Sequence, residues 1–325
     1  MKKFPTGAAC AVLFTQAAAA YAQPAPAYPA KPIRIIVQFG PGTSVDILAR
    51  VIAQKLGENW RQQVVVDNRP GAGGIIGTAL GAKAPADGYT LTMVASGAFA
   101  VNPSLYAKLP YDAIKDFAPI TTLSLVPQTL VASTLGPFRS VRDFVAGAKQ
   151  KPGQINYASL GSGTTSHLTM EMFRFVAGVE LNHVGFKGSA DAHLQLMSGQ
   201  VLAMFDPLPA TRPQIQAGKL LGLGIASLAR SAFLPELPTI AEQGFAGFEA
   251  LGWIGIAAPA QTPRVVLDKL NAEIVKIVRE QELKDRLAAL AFTPVGDTRE
   301  QFAAFIKSET VKWGKVVRDS GAKAE

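Results

Sequence analysis

The sequence is poor in the residues that carry most metal and redox chemistry. It has one cysteine, Cys10, and three histidines, His167, His183 and His193, in 325 residues. Cys10 lies in a segment expected to be removed. The remaining chain then has no thiol, no disulfide and no cysteine metal ligand, and its stability comes from packing. The histidines lack metal-ligand spacing and have no carboxylate cluster beside them, so each reads as structural. The basic residues are scattered with no run of five, which argues against nucleic acid as a partner. No apolar run is long enough to span a bilayer. There is no G-x-S-x-G elbow. Ser166 and His167 are adjacent, so on a helix their side chains diverge by roughly 100° and form no nucleophile–base pair.

What is present begins with an export signature. Lys2 and Lys3 precede the short apolar segment "AACAVLFTQAAAA", and "AYA" at 20–22 has the small-x-small form of a cleavage site. Residues 1–22 are therefore expected to be a signal peptide cleaved after Ala22, with residues 23–27 a Pro/Ala-rich leader. Cys10 lacks the leucine expected three residues before a lipoprotein cysteine, so lipidation is rejected. Loss of Lys2 and Lys3 lowers the formal charge from +8 to +6, which is compatible with an anionic small ligand.

The mature chain alternates apolar runs with amphipathic stretches. "IRIIVQF" (33–39), "QVVVD" (63–67) and "YTLTMVAS" (89–96) read as strands. Between them lie two helices. The first carries Val45, Leu48, Val51, Ile52 and Leu56 on one face, and the second is "GIIGTALGAKA". This β-α-β-α-β order implies a parallel sheet with right-handed crossovers. "PQTLVAST" (127–134) is a further apolar run, after which the alternation repeats. "WIGIAAPA" (253–260) is a late strand, and the end is helical.

Three glycine-rich loops compete for a ligand. "NRPGAGGIIG" (68–77) follows a strand and opens a helix, as a dinucleotide cradle would. Its spacing, Gly71, Gly73 and Gly77, is G-x-G-x-x-x-G, and no acidic residue ends the next strand. Its glycines are read as letting a helix start close against its strand, and no cofactor is expected. In a sheet ordered 2-1-3 a ligand sits between strands 1 and 3, beyond their carboxyl ends. That points to "FGPGTSVD" (39–46) and "SGAFA" (96–100). Thr43 with Asp46 has capping-box spacing, which serves the helix, the ligand or both. "SLGSGTTSH" (159–167) repeats the design in the second half. Two facing helix N-termini would make a two-jawed anion site without arginine. Ser44, Thr164 and Ser166 are expected to donate hydroxyl bonds to a ligand carboxylate. Asp206 in "MFDPLP" orients a ligand donor or bonds backbone in its turn.

Taken together, "YPAKPIRIIVQFGPGTSVDILARVIAQKL", "VVVDNRPGAGGIIG", "NPSLYAKLPYD", "INYASLGSGTTSHLTMEMF" and "GSADAHLQLMSGQVLAMFDPLP" strongly resemble the periplasmic receptors of tripartite tricarboxylate transporters, the Bug-type receptors. The resemblance covers nearly the whole mature chain. It implies an α/β type II periplasmic-binding-protein fold, two parallel-sheet domains joined by a two-crossing hinge. Domain I is expected at 28–126 and 252–325 and domain II at 127–251, crossing near "SLVPQ" and "ALGWI". It implies a small organic carboxylate as ligand, inner-membrane transporter subunits as partner, and periplasmic localisation. The chain is expected to be a monomer without catalytic activity. A sensor accessory protein presenting a carboxylate to a membrane signalling protein, or a periplasmic hydrolase, are the alternative readings. The matching ligand positions are Phe39, Gly40, Gly42, Thr43, Ser44, Asp46, Ser96, Gly97, Ser162, Gly163, Thr164, Thr165, Ser166, His167 and Asp206. Thr43 departs from the family pattern, which has a second glycine there. Its side chain can donate a bond or narrow the pocket.

Overall fold

The computed structural model describes residues 1–2, 28–320 and 322. The signal-peptide and leader readings therefore fall almost wholly outside the described residues. The chain runs β1 (Ile33–Val37), α1 (Ser44–Trp60), β2 (Val64–Asn68), α2 (Ile75–Ala82) and β3 (Thr90–Ala95). A π-helical turn (Gly97–Val101) leads into α3 (Asn102–Leu105) and then β4 (Phe117–Ser133). The second half continues through α4 (Val141–Gln150), β5 (Asn156–Ser159), α5 (Thr165–Ala177), β6 (Asn182–Gly185), α6 (Ser189–Met197), β7 (Ala203–Pro207), α7 (Leu208–Gln216) and β8 (Leu220–Ile225). It closes with β9 (Leu251–Pro259), α8 (Arg264–Arg279), α9 (Gln281–Ala289), β10 (Thr293–Pro294) and α10 (Arg299–Ser320).

The expected parallel ladders are present in both halves. β2, β1 and β3 pair in that order, all parallel. β6, β5 and β7 repeat the arrangement. The sheet is completed by antiparallel strands that the βα alternation did not foretell. β9 runs antiparallel to both β3 and β4. β4 is 17 residues long, more than twice the apolar run read from sequence. Its residues 117–127 pair with β9, and its residues 128–133 pair antiparallel with β7 and β8. β4 thus passes from one half to the other, with Pro127 the last residue paired to β9 and Gln128 the first paired to β7. Proline donates no ladder hydrogen bond, so it fits where pairing changes hands. Pro119 sits at a register shift for the same reason.

Packing follows the apolar patterns. Val45, Leu48, Val51, Ile52 and Leu56 of α1 are all buried, in one cluster with Ile33 and Ile35 of β1, Ile256 of β9 and Leu270 and Ile274 of α8. Glycines set the depth at which α2 lies on the sheet. A Cβ on Gly77 would stand 2.7 Å from the Gln38 Cα, and one on Gly81 would stand 2.1 Å from the Thr92 Oγ1. The loop 68–77 is therefore a close strand–helix junction.

Gly77→Ala is expected to lower stability by about 1–3 kcal/mol, the usual cost of overpacking against backbone. Thermal unfolding followed by circular dichroism reads it. A melting temperature equal to that of the wild type would contradict the close-packing role.

Candidate ligand-binding cleft

α1 begins where "GPGTS" turns off β1, and its start is over-determined. The Thr43 Oγ1 accepts from the Asp46 N–H at 3.4 Å and donates to the Gly40 carbonyl at 3.0 Å. Asp46 reaches back to accept from the Gly42 N–H at 3.0 Å, and binds Arg50 and Asn68 at 3.0 and 2.9 Å. Burial opposes ionisation of Asp46. The hydrogen bonds from Arg50, Asn68 and Gly42 outweigh it and hold the carboxyl below its ordinary value. α5 begins in the same way. The Thr164 Oγ1 accepts from the His167 N–H at 3.3 Å and donates to the Gly161 carbonyl at 2.7 Å.

The two helix starts face a common cavity of about 50 Å³. Its walls are Phe39, Thr43, Ser44 and Val45 after β1, Ala95, Ser96 and Gly97 after β3, Leu160 and Thr164 to Ser166 after β5, and Pro207 at the end of β7. Its floor is the pair of crossing strands: Val126 and Gln128 of β4, and Gly252, Trp253 and Ile254 of β9. Among the described residues no Asp, Glu, Lys, Arg or His lines it. The first N–H groups of any helix lack an intrahelical acceptor. Those of Ser44 and Val45 in α1, and of Thr165 and Ser166 in α5, belong to residues on the walls. Two positive helix ends thus converge on one small volume.

The halves touch across this cleft. The Gly40 N–H donates to the Lys187 carbonyl at 3.2 Å. The hydroxyls of Ser96 and Thr165 meet at 2.5 Å, and the Tyr106 hydroxyl donates to the Ser162 carbonyl at 3.3 Å. Gly73 shows a use of its loop that the sequence reading missed: a Cβ there would stand 2.0 Å from the Ser162 oxygen, so only glycine lets the two loops meet. A second cavity of about 380 Å³ opens beside this contact, between Gly71 to Gly74, Tyr106 and Lys187, and shares Phe39 and Leu160 with the first.

The expected site residues separate into groups. Phe39, Thr43, Ser44, Ser96, Gly97, Thr164, Thr165 and Ser166 line the central cavity, while Ser162 lines the second. The hydroxyl donors need correction. The Ser166 Oγ donates to the Phe205 carbonyl and the Thr164 Oγ1 to the Gly161 carbonyl, so neither proton is left for a ligand. The Ser44 Oγ is buried without a partner. Asp46 serves the start of α1 and lies off the cavity. Gly40 and Gly42 shape that same turn, with φ +80° at Gly42. Gly163 also has positive φ and packs against Asn102. The His167 Nδ1 accepts from the Gly163 N–H at 3.4 Å, which places it beneath the loop. Asp206 neither faces the cavity nor serves its own turn. It is fully buried, with the His193 Nε2 at 2.9 Å and the Ser189 hydroxyl at 3.3 Å.

Sequence reasoning missed the floor. Gln128 is the lone amide in an apolar run, and that was its available signal. Trp253 is held by Glu309 of α10, whose carboxylate accepts from the Trp253 Nε1 at 3.2 Å and the Trp313 Nε1 at 3.0 Å. Nothing in the local sequence links residues so far apart.

A buried two-jawed cleft at the carboxyl ends of paired strands defines a solute-binding class of protein, and comparison with known proteins agrees. Residues 48–322 match the family described as "Tripartite tricarboxylate transporter family receptor", and the chain belongs to that family. It is 41% identical over 297 residues to the UPF0065 protein encoded in the tcbD-tcbE intergenic region of a Pseudomonas species, covering 91% of this chain and 88% of that one. It is 39% identical to Protein BugT of Bordetella pertussis, with 91% of each covered. Rpa4515 of R. palustris, solved with adipate, superposes with a TM-score of 0.89 at 33% identity, covering 92% of this chain and 100% of that one. MatC of Rhodopseudomonas palustris, with bound malate, gives 0.86 at 28% identity, covering 89% and 100%. The fold is that of the periplasmic binding proteins of this type. No helix among the described residues is long and apolar enough to cross a membrane.

The folded value of Asp46 lies below its ordinary 3.8. Its contribution to stability is therefore complete above that pH and is lost as pH falls through the lower folded value. Asp46→Asn is expected to be less stable than wild type at neutral pH, with the gap narrowing as pH falls below the ordinary value. Urea unfolding at a series of pH values checks this. A gap independent of pH would contradict it.

Proposed function

We propose that this protein is a periplasmic receptor that captures a small organic carboxylate between two lobes and delivers it to the membrane subunits of a tripartite tricarboxylate-type transporter. One lobe is residues 28–126 and 252–325, and the other is residues 127–251. The observation that carries this reading is the pair of helix N-termini facing one cavity that no charged side chain lines. A carboxylate there accepts from first-turn N–H groups of both lobes, so it is bound best when the lobes are together. The strand passage at Pro127 and the return into β9 at Leu251 supply two connections, which favours a hinge motion along one direction. The chain carries out no reaction and needs no cofactor or metal. It acts as a monomer in the periplasm, exported with residues 1–22 removed, and has no nucleic-acid partner. The adipate and malate held by the two solved relatives support the ligand class.

A thermal-shift screen of the purified protein against organic acids identifies the ligand class, because a ligand at a hundredfold excess over its Kd adds about 2.7 kcal/mol of stability. The tightest acid is then titrated by calorimetry. Ser44→Ala is expected to lose about tenfold in affinity, as befits a hydrogen bond to a charged group. Thr164→Val is expected to lose about 1 kcal/mol of stability through its helix cap, with a smaller change in affinity. Gly73→Ala is expected to weaken binding without touching the ligand, by obstructing closure. Wild-type affinity in both Ser44→Ala and Gly73→Ala would sink the two-jawed reading.

A further inference from the structure

Two imidazoles lie beneath the loop that opens α5, and each supports one of its main-chain N–H groups. The Gly163 N–H donates to the His167 Nδ1 at 3.4 Å. The Gly161 N–H donates to the Ser159 Oγ at 3.0 Å, and that oxygen is 2.6 Å from the His183 Nε2. The two rings touch, with centroids 4.3 Å apart and planes at 31°. The Gly161 carbonyl in turn accepts the Thr164 hydroxyl that caps α5. What fixes Gly161 and Gly163 therefore fixes the start of α5, where Thr164, Thr165 and Ser166 line the central cavity. His167 is buried and lines neither of the two cavities.

The bond to Gly163 settles the state of His167. A main-chain N–H only donates, so the ring nitrogen facing it carries no proton. The proton of the neutral ring is then on Nε2, which faces the Glu171 Oε1 at 4.0 Å. A second proton adds only at Nδ1, the atom that Gly163 uses, and sets N–H against N–H. His183 differs, because a protonated Nε2 donates to the Ser159 Oγ, which still accepts from Gly161. The surroundings do little to favour the second proton on His167. Glu171 is already engaged by the Tyr157 hydroxyl of β5 at 2.6 Å and by Arg174 at 2.7 and 2.8 Å. His183, if charged, repels it. Of the other elements packed on α5, β7 brings Asp206, which is engaged with His193 and Ser189. α10 brings Glu309, bound by Trp253 and Trp313, and Lys312, paired with Glu249 and Glu309. The π-helical turn Gly97–Val101 carries no titratable side chain. Across the cleft, Tyr106 donates to the Ser162 carbonyl, and Lys187 borders the second cavity.

We propose that His167 is a positioning residue for the bound acid: its neutral ring holds the Gly163 N–H and so sets the start of α5, and protonation at Nδ1 releases the loop and weakens capture. This rests on the carboxylate-receptor reading above. The sign follows from linkage. The form that binds is the one without the extra proton, so affinity is full above the imidazole range and falls as pH drops through it.

The test titrates wild type, His167→Asn and His167→Leu by calorimetry at about pH 8 and about pH 5, with malate, adipate and the tightest acid of the screen. Asn offers an acceptor near the place of Nδ1 and does not titrate. On acidification wild type is expected to lose about three- to tenfold more affinity than His167→Asn, the worth of one neutral hydrogen bond. Ionisation of the acid itself is common to all three proteins and cancels in that comparison. At the higher pH His167→Leu is expected to bind about three- to tenfold more weakly than wild type, with His167→Asn between them. In the labelled protein without ligand, the Gly163 amide of wild type is expected to titrate with the midpoint of the His167 ring, and to stand still over that range in His167→Asn. If His167→Leu does not fold by circular dichroism, the Asn variant and the amide titration carry the test. Equal acid sensitivity in wild type and His167→Asn, or a Gly163 amide that does not follow the ring, overturns the inference. A Gly163 amide that follows the ring in a protein that captures no acid of the screen overturns the receptor reading, which separates the two failures.

Discussion

The arrangement rests on bringing the first-turn N–H groups of two helices to one small cavity. Each helix needs a tight glycine turn off its strand and a cap that holds its first turn open. Thr43 and Thr164 supply the caps by turning their hydroxyls to main-chain groups. That choice leaves the N–H groups of Ser44, Val45, Thr165 and Ser166, residues of the cavity wall, without an intrahelical acceptor. Main-chain donors at a helix end are already oriented and carry partial positive charge, so they suit an anion without an ionic side chain. The parallel 2-1-3 order in each half places both helix starts at strand carboxyl ends, and the crossing strands turn those ends toward one another.

The floor has a different task. β4 pairs with strands of both halves, and β9 joins it to β3, so their crossing ties the two halves together. Pro127 marks the change of partner. Trp253 is packed edge-on by Phe302 and Phe305 at 5.7 Å and tied through Glu309 to Trp313. α10, which carries Phe302, Phe305, Glu309 and Trp313, thereby braces the floor from below. Gly252 leaves room for the Gln128 side chain, since a Cβ there would stand 3.1 Å from the Gln128 Nε2.

Much of this was legible before any coordinates. The α1 face, the βα alternation and the two anion loops follow from apolar periodicity and from glycine and N-cap residues at set positions. Residues 117–126 of β4 were not legible, because Pro119 and a run of Thr and Ser mask a strand whose partners lie over a hundred residues away. The hydroxyls of Thr164 and Ser166 were assigned to the ligand because sequence shows that a hydroxyl is present but not which carbonyl is nearer. Asp206 was read as orienting a ligand donor or bonding backbone in its turn, because its partner, His193, is brought to it only by the return of α6. Gly73 was read as scaffold, and its contact with Ser162 depends on the two halves meeting.

The central claim is that the anion is held by main-chain N–H groups from two helix ends and not by a charged side chain. The most direct measurement is the amide proton and nitrogen chemical shifts of the labelled protein, with and without the tightest carboxylate from the screen. The account predicts that the amides of Ser44, Val45, Thr165 and Ser166 move downfield together, with one midpoint matching the calorimetric affinity. Unmoved amides at these four positions, with ligand-dependent shifts at a lysine or arginine side chain instead, would contradict it.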